Sequence, residues 1–439
     1  MRIELVCPAA EDSAHLRSLA IATLAALTPP DVQLSLRDDI VKKIDVEKDL
    51  DATADLAAIT VSTKTARRAY ELSAAYRRLG VKVVMGGIHP TAMPEEALEH
   101  CDAVVMGEAE GLWEQVVADA RAGRLQRLYR HTVFPDFRTP PWPRRAIFPA
   151  KGYVPVNTMQ ASRGCPFPCE FCSVTPFFGR KVRLRDPEDV AREMATLRKH
   201  PRWFMFADDN VLGYGERSRA LFRALEPLKV TWFGQASLQG MQDDETVRLM
   251  AESGCRAVFV GFESVSRDAL VACGKKQNNP QRYIDTVRRL HDHGIAVWGS
   301  FVFGFDEDTP DVFEATVEFG RKSGMLMALF AILTPYPGTR LFERLKAEGR
   351  LFDERWWLHE RRDGEPFFRP KQMSTEQLFE GWQAAWKGFY SGLSIASRFL
   401  HAPRTGFFAT AAFLPMNLLQ RKLTRDKILG GNRFFLRDA

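Results

Sequence analysis

A chain of 439 residues is too long for one ordinary core and implies two or three domains. Its 45% hydrophobic and 26% charged residues exclude a disordered or fibrous chain, and a formal net charge of +6 is compatible with anionic partners without demanding one. The opening MRIELVCPAAED carries only a strand-like apolar run, and no stretch approaches the ~20 apolar residues of a membrane span. The longest, Gly406 to Leu419, contains Pro415. A cytoplasmic protein with neither export signal nor transmembrane helix is expected.

Residues 1–128 alternate short apolar runs with amphipathic ones. RIELVCP, VQLSLRD, LAAITVS, VKVVMGG and DAVVMGE read as strands, with helical patterns such as ARRAYELSAAYRRLG and EGLWEQVVADARAG between them. That alternation predicts a doubly wound, Rossmann-like α/β domain with a parallel sheet covered on both faces. Its ligand crevice would lie at the strand C-termini, where Gly86, Gly87, Gly107 and Glu108 fall. Residues 129–155 contain Pro135, Pro140, Pro141, Pro143, Pro149 and Pro155 and predict an extended linker between domains.

The alternation resumes over residues 156–340. VNTMQAS, WFMFADD, TWFGQAS, AVFVGFE, AVWGSFVFGF and LFAILTP read as strands, and Gly254, Gly294 and Gly324 close intervening helices. Six strand–helix units predict a partial (β/α)6 barrel with its site at the C-terminal strand ends. Residues 341–439 are predicted helical and aromatic (RWWLHE, GWQAAWKGFYSG), and the last 43 carry eight Lys/Arg against two Asp.

Three of the seven cysteines crowd into SRGCPFPCEFCSVTPFFG as Cys165-x3-Cys169-x2-Cys172, just after the first barrel strand. Such crowding points to metal or redox chemistry rather than a disulfide framework. Thiolates select zinc, copper(I) or iron–sulfur centres. A structural zinc site takes four protein ligands, and no fourth cysteine or histidine lies nearby; Cys255 and Cys273 follow only about 80 to 110 residues later. Three thiolates leave one iron of a [4Fe–4S] cube without a protein ligand. From these residues alone, a zinc knuckle or a thioredoxin-like Cys169/Cys172 pair remains the competing reading.

The motif resembles the CxxxCxφC signature of the radical S-adenosylmethionine (SAM) superfamily, with Phe171 as the aromatic φ residue. The resemblance implies that Cys165, Cys169 and Cys172 hold a [4Fe–4S] cluster whose open iron binds the amino and carboxylate groups of SAM. Phe171 would pack near the adenine. The reduced cluster, fed by a flavodoxin- or ferredoxin-type donor, would cleave SAM to methionine and a 5′-deoxyadenosyl radical. FADDN ends the second strand, where related enzymes hold the SAM amino group, and offers Asp208 or Asp209. GQAS places Gln235 and Ser237, and GFES places Glu263, at the next two strand ends for ribose or methionine carboxylate. GSFVFGF, with Ser300 and Gly304, resembles the family segment beside the adenine. Helix N-capping is the plain alternative for these carboxylates, and TPYPGT reads equally as an adenine contact or a rigid turn.

A doubly wound domain before the barrel looks like the cobalamin-binding class of this superfamily, and VVMGGIHPTAMPEEALEH…DAVVMGEAEGLWEQVV carries that likeness. It implies cobalamin at Gly86, Gly87, His89, Gly107 and Glu108, and methylation of an unactivated carbon as the reaction. The Asp-x-His-x-x-Gly motif that supplies a histidine to cobalt is absent; His89 in GGIHPT has a different spacing and reads as a ligand contact or a loop brace. The alternatives are a degenerate first domain with a radical rearrangement, oxidation or carbon–carbon bond formation, and a non-catalytic iron–sulfur sensor. The aromatic, basic tail reads as a helical cap over the barrel mouth or as an amphipathic segment resting on a membrane surface, and points to a small apolar or lipid-like substrate. Nucleic acid is not an expected partner, because apolar runs dilute the basic residues.

Overall fold

A computed structural model describes residues 1–10, 15–198, 202–212, 215–360, 364–401 and 406–429. Two parallel six-stranded sheets organise them. The first contains β1 (Arg2–Cys7), β2 (Gln33–Asp38), β3 (Leu56–Thr60), β4 (Lys82–Gly86), β5 (Ala103–Met106) and β6 (Leu128–Arg130), in the order β2-β1-β3-β4-β5-β6. Runs such as Val83–Met85 and Leu56–Ile59 are buried on both faces of the sheet, which is why these strands read as continuous apolar segments. The strand order reverses between β1 and β3, and that reversal opens a crevice at the C-terminal strand ends. All five expected strands are present. β6 carries the sheet past residue 128; three residues are too few to show a period.

The proline-rich segment runs between the two sheets and is tied to both. Tyr153 donates to Asp38 (2.7 Å), and Arg145 donates to Glu193 and to the Thr158 carbonyl (2.6 Å each). Beyond it come β7 (Asn157–Met159), an antiparallel pair of β8 (Ser162–Arg163) and β9 (Arg183–Leu184), then β10 (Trp203–Phe206), β11 (Thr231–Ala236), β12 (Cys255–Glu263), β13 (Ala296–Phe303) and β14 (Met327–Ile332). β7 and β10–β14 form the second sheet in sequential order, without closing: β7 and β14 remain its edges. This is the expected partial barrel. Here burial alternates. Val258, Val260 and Phe262 lie in the outer core, while Phe259, Gly261, Trp298, Ser300 and Leu329 line the concave side and stay partly exposed.

The open edge at β14 is satisfied by side chains. Trp382 and Trp386, on the helix Thr375–Phe389, donate to the Phe330 carbonyl (2.8 and 3.1 Å). The hydroxyl of the following Tyr390 accepts from Ala328 N and donates to Ala328 O (3.2 and 2.7 Å). Edge groups that would otherwise template another strand are thereby covered. The helices Gly392–His401 and Gly406–Leu423 pack at the start of β14. There the buried Arg398 donates to the Met325 and Leu326 carbonyls (3.1 Å each) and to Asn417 Oδ1 (2.7 Å), and lies 3.8 Å over the Phe389 ring. Burial pulls its guanidinium down to about 10. Against expectation, these two helices do not cap the barrel mouth: they hold the N-terminal end of β14, opposite the strand ends that face the cysteines. No helix among the described residues is long and apolar enough to cross a membrane. Residues 430–439 of the basic tail lie outside the described residues.

Candidate active site

The cysteine loop leaves β8 and returns to β9. Gly164 turns the chain at φ 88, where an added Cβ would stand 2.8 Å from the Lys181 carbonyl oxygen, so glycine is required. Glu170 N donates to Cys273 O (2.9 Å), Leu341 N donates to Glu170 O (3.0 Å), and Arg344 holds the Glu170 carboxylate (2.8 Å). The loop is thus fixed by the turn at residues 273–275 and by the helix Arg340–Ala347. Cys165, Cys169 and Cys172 are free and partly buried, and burial pushes the Cys172 thiol up to about 12. Among the described residues, no three His, Cys, Asp or Glu side chains converge closely enough to hold a single metal ion. In an iron–sulfur cube each thiolate takes a different iron, and three thiols carried on one fixed loop suit such a cube.

The two aspartates of FADDN part company. Asp208 is buried and accepts from Ala161 N (3.0 Å) and Ser162 Oγ (2.5 Å), and burial raises its carboxyl to about 7. It braces the β7–β8 turn and is no longer free for a ligand, which corrects its assignment as a cofactor contact. Asp209 is partly exposed and raised by burial to about 6. It lies near enough to Cys165 and Cys172 that its charge adds to the burial that raises both thiols.

The next strand ends supply polar groups. Asn210 Oδ1 accepts from Ser237 N (3.0 Å), while Asn210 Nδ2 and Ser237 Oγ are buried without a partner among the described residues. Gln235 and Ser300 face the concave side. Glu263, at φ 65 in a β12 irregularity, pairs with Lys275, and both fold over Gly261, into the space a Cβ there would take. Burial pulls the Lys275 amine down, but Glu263 and Cys169 outweigh it and hold it above its ordinary value. Lys275 escapes the sequence pattern: a lysine in CGKK reads as solvated, and only its largely buried position beside the cysteines marks it. Phe171 meets the β13 end, its ring 5.9 Å from Phe305. TPYPGT is an interdomain turn: the Pro335 carbonyl accepts from Trp356 (3.0 Å), and Gly338 abuts Ala92.

The crevice of the first sheet is a cleft of about 950 Å³ including its open mouth. Leu19, Leu24, Ala58, Val84, Val105 and Trp113 make it apolar, and Gly86, Gly87, Gly107 and Glu108 also line it. A Cβ at Gly87 would stand 2.7 Å from the Val61 carbonyl oxygen, whereas one at Gly107 would meet nothing within 4 Å. The opposite wall belongs to the barrel: Gln160, Arg163, Phe177, Phe178 and Ala207. Ion pairs cross between the two walls. Arg163 holds Glu108 (2.5 Å) and Glu110 (2.7 Å), and Arg183 also holds Glu108. Burial would raise Glu110, but Arg163 outweighs it and keeps the carboxyl below its ordinary range. The small, apolar wall fits a bulky corrinoid.

His89 is a correction. It does not line the cleft but is fully buried beside the Tyr70 hydroxyl (3.0 Å), Glu96 (3.2 Å) and the edge of Trp357 (5.3 Å between rings). The short helix Ile88–Ala92, starting directly after Gly87, carries it to the side where the C-terminal region packs. It is a brace, and no histidine is among the described residues that line the cleft.

Family models match the chain as the radical SAM superfamily over residues 159–320, as a B12 binding domain over 15–117 and as a domain of unknown function over 339–406. It is 33% identical over 383 residues to bacteriochlorophyllide d C-12(1)-methyltransferase of Chlorobaculum tepidum, covering 85% of this chain and 83% of that one. The chain belongs to the radical SAM superfamily, in its cobalamin-binding class. The bacteriochlorophyllide d C-8(2)-methyltransferase of the same organism is 31% identical, covering 77% and 78%. Among solved structures, the radical SAM methyltransferase TsrM from Kitasatospora setae, with cobalamin and a [4Fe–4S] cluster bound, matches at a TM-score of 0.67 and 17% identity, covering 79% of this chain and 75% of that one. The cobalamin-dependent radical enzyme OxsB matches at 0.69 and 14%, covering 97% and 72%; both likenesses concern the fold. This radical SAM enzyme uses a [4Fe–4S] cluster, SAM and cobalamin.

Proposed function

We propose that this enzyme methylates an unactivated carbon of a small molecule, with cobalamin carrying the methyl group. The observation that carries the reading is Arg163. It lines the cobalamin cleft, precedes the cluster ligand Cys165 by two residues, and is held by Glu108 and Glu110 of the first domain. One side chain thus ties the two cofactor sites together. When bound, the reduced cluster supplies the electron that splits SAM to a 5′-deoxyadenosyl radical, and cobalamin supplies methyl carriage. The chain's own residues position and exclude. Cys165, Cys169 and Cys172 hold the cluster. Asp209 accepts from the SAM amino group, while Gln235, Asn210 Nδ2, Ser237 Oγ and the Glu263–Lys275 pair serve its ribose and carboxylate, and Phe171 its adenine. Gly86, Gly87 and Gly107 give the corrinoid backbone approach, and the apolar wall keeps water out.

Methylation consumes two SAM molecules differently, so the test counts two products. Anaerobically reconstituted, cobalamin-loaded enzyme with dithionite is expected to form both 5′-deoxyadenosine and S-adenosylhomocysteine. Deoxyadenosine without S-adenosylhomocysteine would favour the cobalamin-independent radical reaction instead.

A second reading concerns location. Leu414, Leu418 and Leu419 are 46–60% exposed on one face of the helix Gly406–Leu423, with Arg421, Lys422 and Arg425 exposed at its end. An apolar stripe flanked by cations suits an anionic bilayer surface. Co-flotation with phosphatidylglycerol vesicles, lost in Leu418→Glu, is the expected result; wild-type protein left at the bottom of the gradient refutes it.

A further inference from the structure

Within the barrel, the concave side is aromatic, with the Glu263–Lys275 pair over Gly261 as its charged edge. Strand register places Gln235, Phe259 and Trp298 in one row across β11, β12 and β13. The next row, toward the cluster, is Gly261, Ser300 and Leu329. No residue of either row is itself charged, and the Glu263–Lys275 pair folds over Gly261 at one end of the second. Phe233 lies one step below, and Ala257 and Ala331 leave room on either side. The Phe259 and Trp298 rings lie 5.9 Å apart at 65°, a corner in which a flat ring stacks on one and meets the edge of the other. Leu329 is 38% exposed, and Trp298 Nε1 is buried without a partner among the described residues.

Half-wet aromatic surface of this extent is unfavourable unless something covers it, and an orphaned indole N–H calls for an acceptor. The site is continuous with the strand ends that carry Asp209 and Glu263, so its occupant lies where the radical forms. Its shape narrows the occupant. Two rows are shallow, whereas four strands at about 4.8 Å spacing span roughly 14 Å. A broad, shallow, stacking surface suits a rigid plate. A flexible chain would give up conformational freedom for no stacking gain.

We infer that the substrate is a flat, rigid, conjugated ring system, seated on Phe259 and Trp298 with the Trp298 N–H donating to a ring acceptor; its methylation rests on the proposed function, its binding does not. The test is titration of the reconstituted, SAM-loaded holoenzyme with protoporphyrin IX, followed by the shift of the porphyrin's main absorption band, with palmitate as competitor. Micromolar binding is expected, undisturbed by equimolar palmitate. Trp298→Ala should weaken it about tenfold or more, and Trp298→Phe, which keeps a ring and loses the donor, by less. Iron content reports whether each variant is folded. No shift with about 50 µM porphyrin, displacement by palmitate, or wild-type affinity in both variants overturns the inference. A wild-type sample that binds porphyrin yet releases no 5′-deoxyadenosine refutes the proposed function and leaves the inference standing.

Discussion

The two parallel sheets meet through their C-terminal strand ends, yet those ends are built from opposite materials. The first offers glycines and aliphatic walls; the barrel offers thiols, acids and amides that lack partners. The contrast follows from what each must hold. A large preformed corrinoid needs space and backbone access, which small residues provide. A cluster with a small charged co-substrate needs directional donors and acceptors. The concavities also differ in origin. The reversal of strand order between β1 and β3 opens the first, whereas the barrel runs in sequence and gains its hollow by curvature, kept open because the C-terminal helices satisfy β14.

The sharpest way to separate the two sites is Cys169→Ala. It should abolish iron loading and SAM cleavage while leaving hydroxocobalamin uptake intact; parallel loss of cobalamin would merge the two sites. Arg398→Ala tests whether the barrel alone depends on its clamp. The substitution strands the Met325 and Leu326 carbonyls and leaves a void, a loss of about 3–5 kcal/mol expected in urea unfolding followed by barrel probes. Glu108→Gln weakens the tie between the sheets. Both cofactors should still load, but S-adenosylhomocysteine formation should fall about tenfold relative to deoxyadenosine formation. Gly107→Val fills open cleft space at φ 77, so cobalamin affinity should drop about tenfold at unchanged iron content.

The smallest effect concerns pH. Asp308 accepts from Gly304 N and Phe305 N (2.9 and 3.0 Å), and burial raises it to about 7. Because its folded value lies above the unfolded one, the native state binds the extra proton between about pH 4 and 7, and stability falls as pH rises through that window. Asp308→Asn should flatten this slope, shrinking the drop in melting temperature between pH 5 and 8 by a few degrees.

Much of this was legible in the chain. Five strands of the first sheet and all six of the barrel stood out because burial on both faces, or strict alternation under helices, leaves a period in the residues. The cysteine loop was legible because its three cysteines are neighbours in sequence. His89 and Asp208 were misplaced for a shared reason: each polar side chain sits at a strand end, where a ligand contact and an internal brace look alike until the packing of Tyr70 and Trp357, or of Ala161 and Ser162, is known. Lys275, Arg163 and Trp298 carried no local signal at all.

Local pattern therefore determined the two sheets, their parallel sense and the crowding of three cysteines on one loop, since periodicity and spacing are properties of adjacent residues. The tertiary structure decided which acid stays free beside the cysteines, that the C-terminal helices clamp the far end of the barrel instead of its mouth, and that Arg163 ties the cysteine loop to the cleft of the first sheet. Those outcomes depend on burial and on partners from 50 to 90 residues away and more, such as Glu108 for Arg163 and Leu326 for Asn417, and no window of sequence contains them.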